Sequence, residues 1–213
     1  MTRIIAGSAR GRRLAVPASG TRPTSDRVRE ALFSTVESDL AGAGRSWSHV
    51  RVLDLFAGSG ALGLESLSRG AASAVLVEKS RSCAKVISSN AAAAGLDGAR
   101  ILIRDAWQVA ALAPPDGGVT LCFADPPYDW AAADLRRLLS GLADSGWFAV
   151  DAVIVVERPA KDPASPFPET WGEHRMRPYG DTVLWYGQAM RDRARDPHGS
   201  GDGDGAESTE EAP

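Results

Sequence analysis

Apolar runs alternate with helical patterns over most of the chain, and this alternation predicts an α/β fold. Five short runs rich in Val, Ile and Leu are predicted as strands: 50–58, 72–80, 99–105, 118–125 and 152–159. Four segments between them have a helical pattern: 60–70, 81–95, 106–114 and 132–146. Continuous apolar strands separated by helices are typical of a parallel sheet that is covered on both faces.

The two ends of the patterned region differ from its middle. Residues 174–187 form two runs around a Gly-Asp turn with no helix between them, which predicts an antiparallel hairpin at the sheet edge. Near the N-terminus, residues 3–7 and 12–17 are predicted as the two short strands of another hairpin. These hairpins frame the region of alternating strands and helices.

An amphipathic helix is predicted over residues 25–40, followed by a linker. Thr24 or Ser25 can cap its first turn, and Asp26 suits the positive end of the helix dipole. The apolar face is expected to hold Val28, Ala31, Leu32 and Val36. The charged residues expected off that face are Arg27, Arg29, Glu30 and Glu37.

Composition limits the class of protein. The 213 residues are 44% apolar and 24% charged, which fits a soluble chain with one sizeable domain and appendages. No apolar run approaches the roughly 20 residues of a membrane span, and the start lacks a signal-like apolar stretch, so a cytoplasmic protein is expected. Cys83 and Cys122 are expected to be buried and reduced, and three scattered histidines predict no metal site.

The net charge of −3 conceals an uneven distribution. Residues 197–213 contain five acids and no Lys or Arg, so this tail is expected to be disordered. Residues 1–30 instead hold seven arginines: Arg3, Arg10, Arg12, Arg13, Arg22, Arg27 and Arg29. Such a cluster is either a solvated face or a phosphate-binding surface, and the motifs described next favour the second interpretation.

A glycine-rich turn points to a nucleoside ligand. Gly58, Gly60 and Gly63 form G-x-G-x-x-G between a predicted strand and a predicted helix, where backbone can approach a ligand closely. Glu78 lies twenty residues after Gly58, at the end of the next strand, where a carboxylate can accept both hydroxyls of a ribose. NAD(P) and S-adenosylmethionine are the two ligand classes that compete for this site.

Asp54, inside the strand before the glycines, separates those two classes. A carboxylate there would repel a pyrophosphate and would attract the ammonium group of S-adenosylmethionine. Asp105 ends the following strand and could accept a hydrogen bond from an adenine amino group, although a helix N-cap is an equally good interpretation. The balance favours S-adenosylmethionine.

The segment "FADPPYDW" places Asp125, Pro126, Pro127 and Tyr128 directly after a predicted strand. Chemistry in such a sheet lies beyond the carboxyl ends of the strands, so Asp125 is expected to face the methyl donor. Its carboxylate and the Pro126 carbonyl can accept the two hydrogens of a nucleobase amino group and stabilise the positive charge that grows on nitrogen. Tyr128 offers a face for an unstacked base.

These motifs resemble a known family. D-P-P-Y resembles the signature of methyltransferases that act on amino groups of planar systems. The segments "RIIAGSARGRRL", "RPTSDRVREALFS", "VLDLFAGSGALGLESLSRGA", "VLVEKS" and "FADPPYDW", in this order, resemble the RsmD family of 16S ribosomal RNA (guanine(966)-N2)-methyltransferases. The resemblance covers about residues 1–188. The acidic tail departs from the family pattern.

The resemblance implies a Rossmann-like class I methyltransferase with a mostly parallel seven-stranded sheet, an antiparallel C-terminal hairpin and a small N-terminal extension. It implies S-adenosylmethionine as cofactor, and as substrate one guanine of 16S ribosomal RNA in an assembling small subunit. A monomer without metal or membrane attachment is expected. The predicted parts are an RNA-binding extension over 1–49, the methyltransferase domain over 50–190 and the disordered tail over 191–213.

The candidate site residues fall into three groups. The catalytic group comprises Asp125, Pro126, Pro127 and Tyr128. The cofactor-binding group comprises Asp54, Phe56, Ala57, Gly58, Ser59, Gly60, Glu78, Lys79, Asp105 and Ala106. The RNA-binding group comprises the seven arginines named above. The alternatives left open are an adenine-N6 DNA methyltransferase, an NAD(P) oxidoreductase and a non-catalytic RNA-binding module.

Overall fold

A computed structural model of the chain describes residues 2–17, 24–162 and 164–189. Arg22 and the predicted acidic tail lie outside the described residues. The strands are β1 Thr2–Arg3, β2 Arg13–Leu14, β3 Arg51–Asp54, β4 Ser73–Val77, β5 Ala99–Leu102, β6 Val119–Ala124, β7 Phe148–Pro159, β8 Arg175–Tyr179 and β9 Thr182–Gln188. The helices are α1 Asp26–Gly42, α2 Ala61–Ser68, α3 Arg81–Ala94 and α4 Ala132–Asp144, with 3-10 helices at Trp47–His49 and Ala106–Ala111.

Seven of the described strands form one sheet in the order β5-β4-β3-β6-β7-β9-β8. Strands β3 to β7 run parallel, and β9 is antiparallel to both of its neighbours, β7 and β8. This arrangement confirms the predicted Rossmann-like fold with its mostly parallel sheet and antiparallel C-terminal hairpin. The order reverses between β3 and β6, which is where such sheets bind their ligands.

Apolar side chains cover both faces of the sheet. Helices α1, α2 and α3 pack on one face, and the 3-10 helix at 106–111 packs with α4 on the other. Strand residues alternate between the two layers, so Val52 belongs to the first and Leu53 to the second. Cys83 and Cys122 are buried and free, as expected. In the described part of the chain, no helix is long and apolar enough to cross a membrane.

Several predicted boundaries were wrong. Strand β3 ends at Asp54, four residues before its predicted end, because the chain turns away through glycines with positive φ at Gly58 (54°) and Gly60 (82°). Of the predicted helical segment 106–114, only Ala106–Ala111 is helical, and it forms a 3-10 helix. Strand β7 begins at Phe148, before the predicted start at residue 152, and an irregularity in its pairing with β6 absorbs the extra length.

The N-terminal hairpin is confirmed, although its paired strands are only two residues long. It docks on helix α2 through the buried carboxylate of Glu65, which accepts hydrogen bonds from the backbone amides of Ile5 (2.6 Å) and Ala6 (3.0 Å). Ile4 is fully buried in the same apolar layer as α2. The predicted boundary at residue 49 remains a prediction, but the hairpin shares its core with the sheet.

In helix α1, the predicted position of one charged residue was wrong. Ser25 caps the helix, accepting a hydrogen bond from the Val28 amide at 3.3 Å. Arg29 was expected off the apolar face, yet its side chain is fully buried. Its Nη2 donates to the Arg3 carbonyl oxygen (2.7 Å) and to Asp26 Oδ1 (2.8 Å). Arg29 therefore does not belong to the exposed arginine surface that was predicted to contact RNA.

The contact between the hairpin and α2 predicts a large effect of Gly7→Ala. Gly7 has φ +82°, and a Cβ there would lie 1.7 Å from the Ser68 carbonyl oxygen. Gly11 has nearly the same φ of +83° with nothing within 4 Å, so Gly11→Ala is a matched control for backbone strain alone. Positive φ costs about 1–2 kcal/mol in either variant, and the clash adds roughly 1–3 kcal/mol at Gly7.

Urea unfolding of both variants measures the difference. A clearly lower free energy of unfolding is expected for Gly7→Ala than for Gly11→Ala. Equal losses in the two variants would mean that the hairpin does not depend on its close approach to α2.

Candidate active site

Four acidic residues lie where the parallel strands end. Asp54 is the last residue of β3, Glu78 and Asp125 directly follow β4 and β6, and Asp105 follows β5 after two residues. The sheet order places them along one edge as Asp105, Glu78, Asp54 and Asp125. The edge location predicted for these residues is confirmed.

A cavity of about 350 Å³ opens at this edge, within the size range of small-molecule sites. It is lined by most of the predicted cofactor and catalytic residues: Asp54, Phe56, Ala57, Gly58, Ser59, Glu78, Lys79, Asp105, Ala106, Asp125 and Pro127. Gly60, Pro126 and Tyr128 are not among the lining residues. Gly60 and Pro126 are buried, and the Tyr128 side chain is 65% exposed.

Sequence reasoning missed about half of the lining. Thr24 was predicted only as a helix cap, and Arg29 only as one of the RNA-binding arginines. Trp130 was not predicted at all, although it closes the "FADPPYDW" segment. The other lining residues that were not predicted are Val16, Pro17, Leu55, Ala61, Leu62, Val77, Ser80, Cys83 and Arg104. The N-terminal segment thus contributes Val16 and Pro17 to a cavity that was assigned to the sheet alone.

Asn90 of α3 joins the N-terminal segment to the glycine turn. Its side-chain amide donates to the carbonyl oxygens of Ala15 and Ser59, both at 2.9 Å, and its Oδ1 accepts from the Ala15 amide at 2.8 Å. Asn90 is itself buried. One side chain therefore fixes the distance between the segment that follows the hairpin and the turn that borders the cavity.

The glycine turn is held by the acid that follows β4. Glu78 Oε2 accepts a hydrogen bond from the Gly58 amide (3.0 Å), and Oε1 accepts from the Ser80 amide (2.8 Å). Each carboxylate oxygen has a second lone pair for another donor. Glu78 can therefore hold the turn and still accept hydroxyl groups of a ligand.

Asp54 lies deepest among the acids, with 1% of its surface exposed. Its Oδ2 accepts a hydrogen bond from the Gly63 amide at 3.1 Å, at the start of α2. Burial raises the pKa of Asp54 to about 7, against the opposing effect of the backbone hydrogen bonds. A neighbouring cation would favour the charged form, because opposite charges lower the pKa of a carboxyl group.

Asp125 forms a cluster with Thr24 and Glu157, a residue near the carboxyl end of β7. The Thr24 hydroxyl lies 3.2 Å from Asp125 Oδ2 and 2.8 Å from Glu157 Oε2, so a single proton donor serves two carboxyl groups. Burial, followed by the charge of Glu157, raises the pKa of Asp125 well above its usual value, and burial raises the pKa of Glu157 as well. The described residues contain no group of three or more His, Cys, Asp or Glu that could hold a metal ion.

Aromatic rings stand beside these acids. Trp130 packs edge-on against Phe56, with ring centroids 5.0 Å apart, and stacks on Trp107 at 5.2 Å. The Arg137 guanidinium covers the Trp107 ring at 4.7 Å. Asp105, next to Trp107 in the chain, caps the 3-10 helix and accepts from the Trp107 amide at 3.1 Å, so its N-cap role is confirmed. Contact between Asp105 and an adenine remains a prediction.

Comparisons with known proteins agree with this geometry. A family model described as "Conserved hypothetical protein 95" matches residues 2–188. "Ribosomal RNA small subunit methyltransferase D" of Escherichia coli is 37% identical over 203 residues, which cover 95% of this chain and 94% of the relative. The chain belongs to the RsmD family.

Solved structures support the same relationship. The yhhF protein of Escherichia coli superposes with a TM-score of 0.75 at 35% identity, covering 88% of this chain and 97% of that one. A hypothetical protein of Thermus thermophilus superposes with a TM-score of 0.70 at 34% identity, covering 89% of this chain and 100% of that one. The Rossmann-like methyltransferase fold of this RsmD-family chain is therefore shared with its relatives.

The arginines predicted to bind RNA divide into three sets. Arg29 is buried, and Arg22 lies outside the described residues. The exposed set comprises Arg3, Arg10, Arg12, Arg13 and Arg27. Arg3 pairs with Asp26 at 3.3 Å, which leaves four exposed arginines available for a negatively charged partner without competing with that pair.

The raised pKa of Asp125 predicts an unusual effect of Asp125→Asn on stability. A carboxyl group whose pKa is higher in the folded than in the unfolded protein binds protons more tightly when folded, so stability falls as pH rises through the raised pKa. Replacing the carboxyl group by an amide removes this loss of stability at high pH. Asp125→Asn is therefore expected to stabilise the protein relative to the parent, and to do so more at pH 8 than at pH 5.

Thermal unfolding across that pH range tests this expectation. Asp129→Asn, a substitution of an exposed acid in the same loop, provides the control for an equal change in net charge. If Asp125→Asn and Asp129→Asn shift the unfolding temperature alike at every pH, desolvation of Asp125 has no measurable cost.

Proposed function

We propose that this chain transfers a methyl group from S-adenosylmethionine to the N2 amino group of a guanine in small-subunit 16S ribosomal RNA. The proposal rests on one observation: Asp125 of the D-P-P-Y segment lines the same cavity as Glu78 and the glycine turn. The name of the Escherichia coli relative supports small-subunit ribosomal RNA as the substrate. The family resemblance suggests the guanine at position 966 and an assembling subunit as its context.

The cavity residues fit S-adenosylmethionine. In the proposed complex, Glu78 accepts the ribose hydroxyls, Asp105 accepts the adenine amino group, and Asp54 pairs with the ammonium group of the amino-acid end. The dinucleotide alternative fits less well, since a pyrophosphate at the glycine turn would meet the buried carboxyl group of Asp54. Calorimetry with NADH and with S-adenosylmethionine separates the two cofactor classes.

The bound cofactor supplies an electrophilic methyl group on a positively charged sulfur. The guanine N2 is a poor nucleophile because its lone pair is delocalised into the ring. Asp125 and the Pro126 carbonyl accept its two hydrogens and hold it nearer a tetrahedral geometry, and the prolines keep the carbonyl in place. The N2 lone pair then forms the new bond to carbon while the carbon–sulfur bond breaks, and its electrons remain on sulfur.

N2 must finally lose one proton. Asp125 lines the cavity and is linked to Glu157 through the Thr24 hydroxyl, and the raised pKa of both groups makes their carboxylates better proton acceptors than an exposed carboxylate. The Thr24 hydroxyl, within hydrogen-bond distance of both, keeps the pair aligned. In the proposed reaction Asp125 thus contacts the amino group both before and after the transfer.

The same carboxyl group favours guanine over adenine. Guanine presents two adjacent donors, N1–H and N2–H, which a carboxylate accepts together, whereas adenine presents an acceptor at N1. Adenine-N6 methylation remains the alternative, because adenine enzymes use the same motif. Mass spectrometry of nucleosides from small-subunit RNA, with and without this gene, distinguishes N2-methylguanosine from N6-methyladenosine.

RNA binding is assigned to the exposed arginines of the hairpin. Phosphate contacts supply affinity without reading bases, and no aromatic side chains are interleaved with these arginines. The hairpin is fixed to α2 by Glu65, and the segment after it to the glycine turn by Asn90, so phosphates bound there would sit at a set distance from the cavity. The exposed Tyr128, next to the lining residue Pro127, offers a face for the unstacked guanine.

Asp125→Asn tests the catalytic assignment. An amide offers one acceptor and two donors, so it must oppose one guanine donor with another donor, and it brings no negative charge to the growing positive charge on N2. Methyl transfer is expected to fall by on the order of 10²–10³, while cofactor affinity stays near that of the parent. Single-turnover transfer of labelled methyl to small-subunit particles measures the rate of methyl transfer, and calorimetry measures the cofactor affinity. A near-native rate would remove Asp125 from the chemistry.

Replacing Arg10, Arg12 and Arg13 by Ala tests the RNA surface. Deleting the whole hairpin would be less informative, because Val16 and Pro17 line the cavity. Each lost phosphate contact is expected to lower the slope of log affinity against log salt by about 0.7 on single strands or 0.9 on duplex. A second triple substitution at exposed arginines elsewhere, Arg45, Arg100 and Arg177, makes the same change in net charge. Equal salt slopes for the two triple variants would show that the hairpin arginines are only a solvated face.

A further inference from the structure

Arg29 is a buried cation whose hydrogen-bonding capacity is only partly used. A guanidinium has five N–H donors, two of them on Nη2. Nη2 of Arg29 donates to the Arg3 carbonyl oxygen and to Asp26 Oδ1. Nε and Nη1 are buried and have no hydrogen-bond partner among the described residues. A buried, unpartnered donor is costly and is therefore unusual unless something else binds it.

The charge of Arg29 is also incompletely balanced. Asp26 contacts two guanidinium groups, those of Arg29 at 2.8 Å and Arg3 at 3.3 Å, so one carboxylate serves two cations. The Arg3 side chain is 64% exposed and is solvated, whereas the Arg29 side chain is 1% exposed. The uncompensated positive charge therefore belongs to the buried partner.

Arg29 lines the proposed cofactor cavity. Two other cationic side chains among the described residues line it, Lys79 and Arg104, and both are exposed and follow β4 and β5. They lie on the side of Glu78 and Asp105, which are the proposed partners of the ribose and the adenine. Arg29 instead comes from α1, and Thr24, two residues before the start of that helix, hydrogen-bonds to Asp125. Arg29 and Thr24 therefore reach the cavity from the N-terminal segment, and Thr24 does so beside Asp125, away from Glu78 and Asp105 in the sheet order.

We infer that the Arg29 guanidinium binds the carboxylate of the amino-acid end of S-adenosylmethionine. This inference rests on the proposed function. The amino-acid end is a zwitterion, and Asp54 offers a partner for its ammonium group but none for its carboxylate. Arg29 supplies that partner through the N–H groups of Nε or Nη1, in a site from which most water is excluded. A charge-assisted hydrogen bond of this kind is about twice as strong as a neutral one.

Arg158 provides a matched comparison within the same chain. Its side chain is 2% exposed, its Nη2 pairs with Asp162, and its Nε and Nη1 likewise have no partner among the described residues. Arg158 does not line the cavity. Arg29→Met and Arg158→Met therefore make the same chemical change at two buried sites, and the inference predicts a ligand-specific effect at only one of them.

The test measures binding rather than activity, with three ligands. S-adenosylhomocysteine carries the carboxylate, decarboxylated S-adenosylmethionine keeps the ammonium group without it, and 5′-methylthioadenosine has neither. Arg29→Met is expected to lower the affinity for S-adenosylhomocysteine roughly ten- to a hundredfold, which is the effect of losing one charged hydrogen bond. The affinity for the other two ligands is expected to stay nearly unchanged. Arg158→Met is expected to leave the affinity for all three ligands nearly unchanged.

Several results would overturn the inference. One is an equal loss for all three ligands in Arg29→Met, and another is no loss for S-adenosylhomocysteine. A third is unchanged cofactor affinity with weakened RNA binding, which would assign Arg29 to an RNA phosphate. Since Arg29 also holds Arg3 and Asp26, circular dichroism must first show that Arg29→Met is folded. If Arg29→Met is unfolded, the test is made instead with the parent protein and with Arg29→Lys, which keeps the positive charge.

The parent must then bind decarboxylated S-adenosylmethionine at least tenfold more weakly than S-adenosylmethionine, and Arg29→Lys must narrow that difference. Equal affinity of the parent for the two ligands, or an unchanged difference in Arg29→Lys, overturns the inference. A parent that binds neither ligand would contradict the proposed cofactor itself, so the two failures are distinguishable.

Discussion

Carboxyl groups crowd the edge where the parallel strands end, and the cost of keeping them there shapes the surrounding structure. Asp54 is held by the Gly63 amide at the start of α2, Glu78 by the Gly58 amide, and Asp125 by a threonine hydroxyl that it shares with Glu157. For Asp54 and Asp125 these donors offset desolvation only in part, because the pKa of each remains raised. A cationic ligand would complete the compensation, and a sulfonium carrying an ammonium group is such a ligand.

The acids at the strand ends need hydrogen-bond donors and a closed cavity, and the N-terminal segment, which is fixed to the rest of the fold, contributes to both. Its hairpin bonds to the buried Glu65, the chain after it bonds to Asn90, and Thr24 reaches the acid pair. Each of these contacts joins residues distant in sequence, and together they close one side of the cavity. A boundary at residue 49 separates the segments by sequence pattern, but the cavity needs both.

The sheet and the acids at its edge could be predicted from sequence, because strand patterns and strand-end residues are local signals. Glu157 could have been found by the same rule, since it stands near the end of a predicted strand. Arg29 could not, because helical periodicity places charged residues outward unless their partners are known. Those partners, the Arg3 carbonyl oxygen and Asp26, come together only when the hairpin folds back on α1. The predicted strand before the glycine turn was too long, because apolar residues continue past the end of the strand into the turn.

The "FADPPYDW" segment shows how one short motif can serve both the interior and the surface. Asp125 and Pro127 line the cavity, Trp130 packs against Phe56, and the Tyr128 ring is largely exposed. The two prolines make this division possible, because they restrict the backbone between a half-buried acid and an exposed ring. A base that leaves its stack would meet Tyr128 first and Asp125 last. In the proposed reaction, the carboxylate, the two prolines and the aromatic ring would each meet the base at a different point of that path.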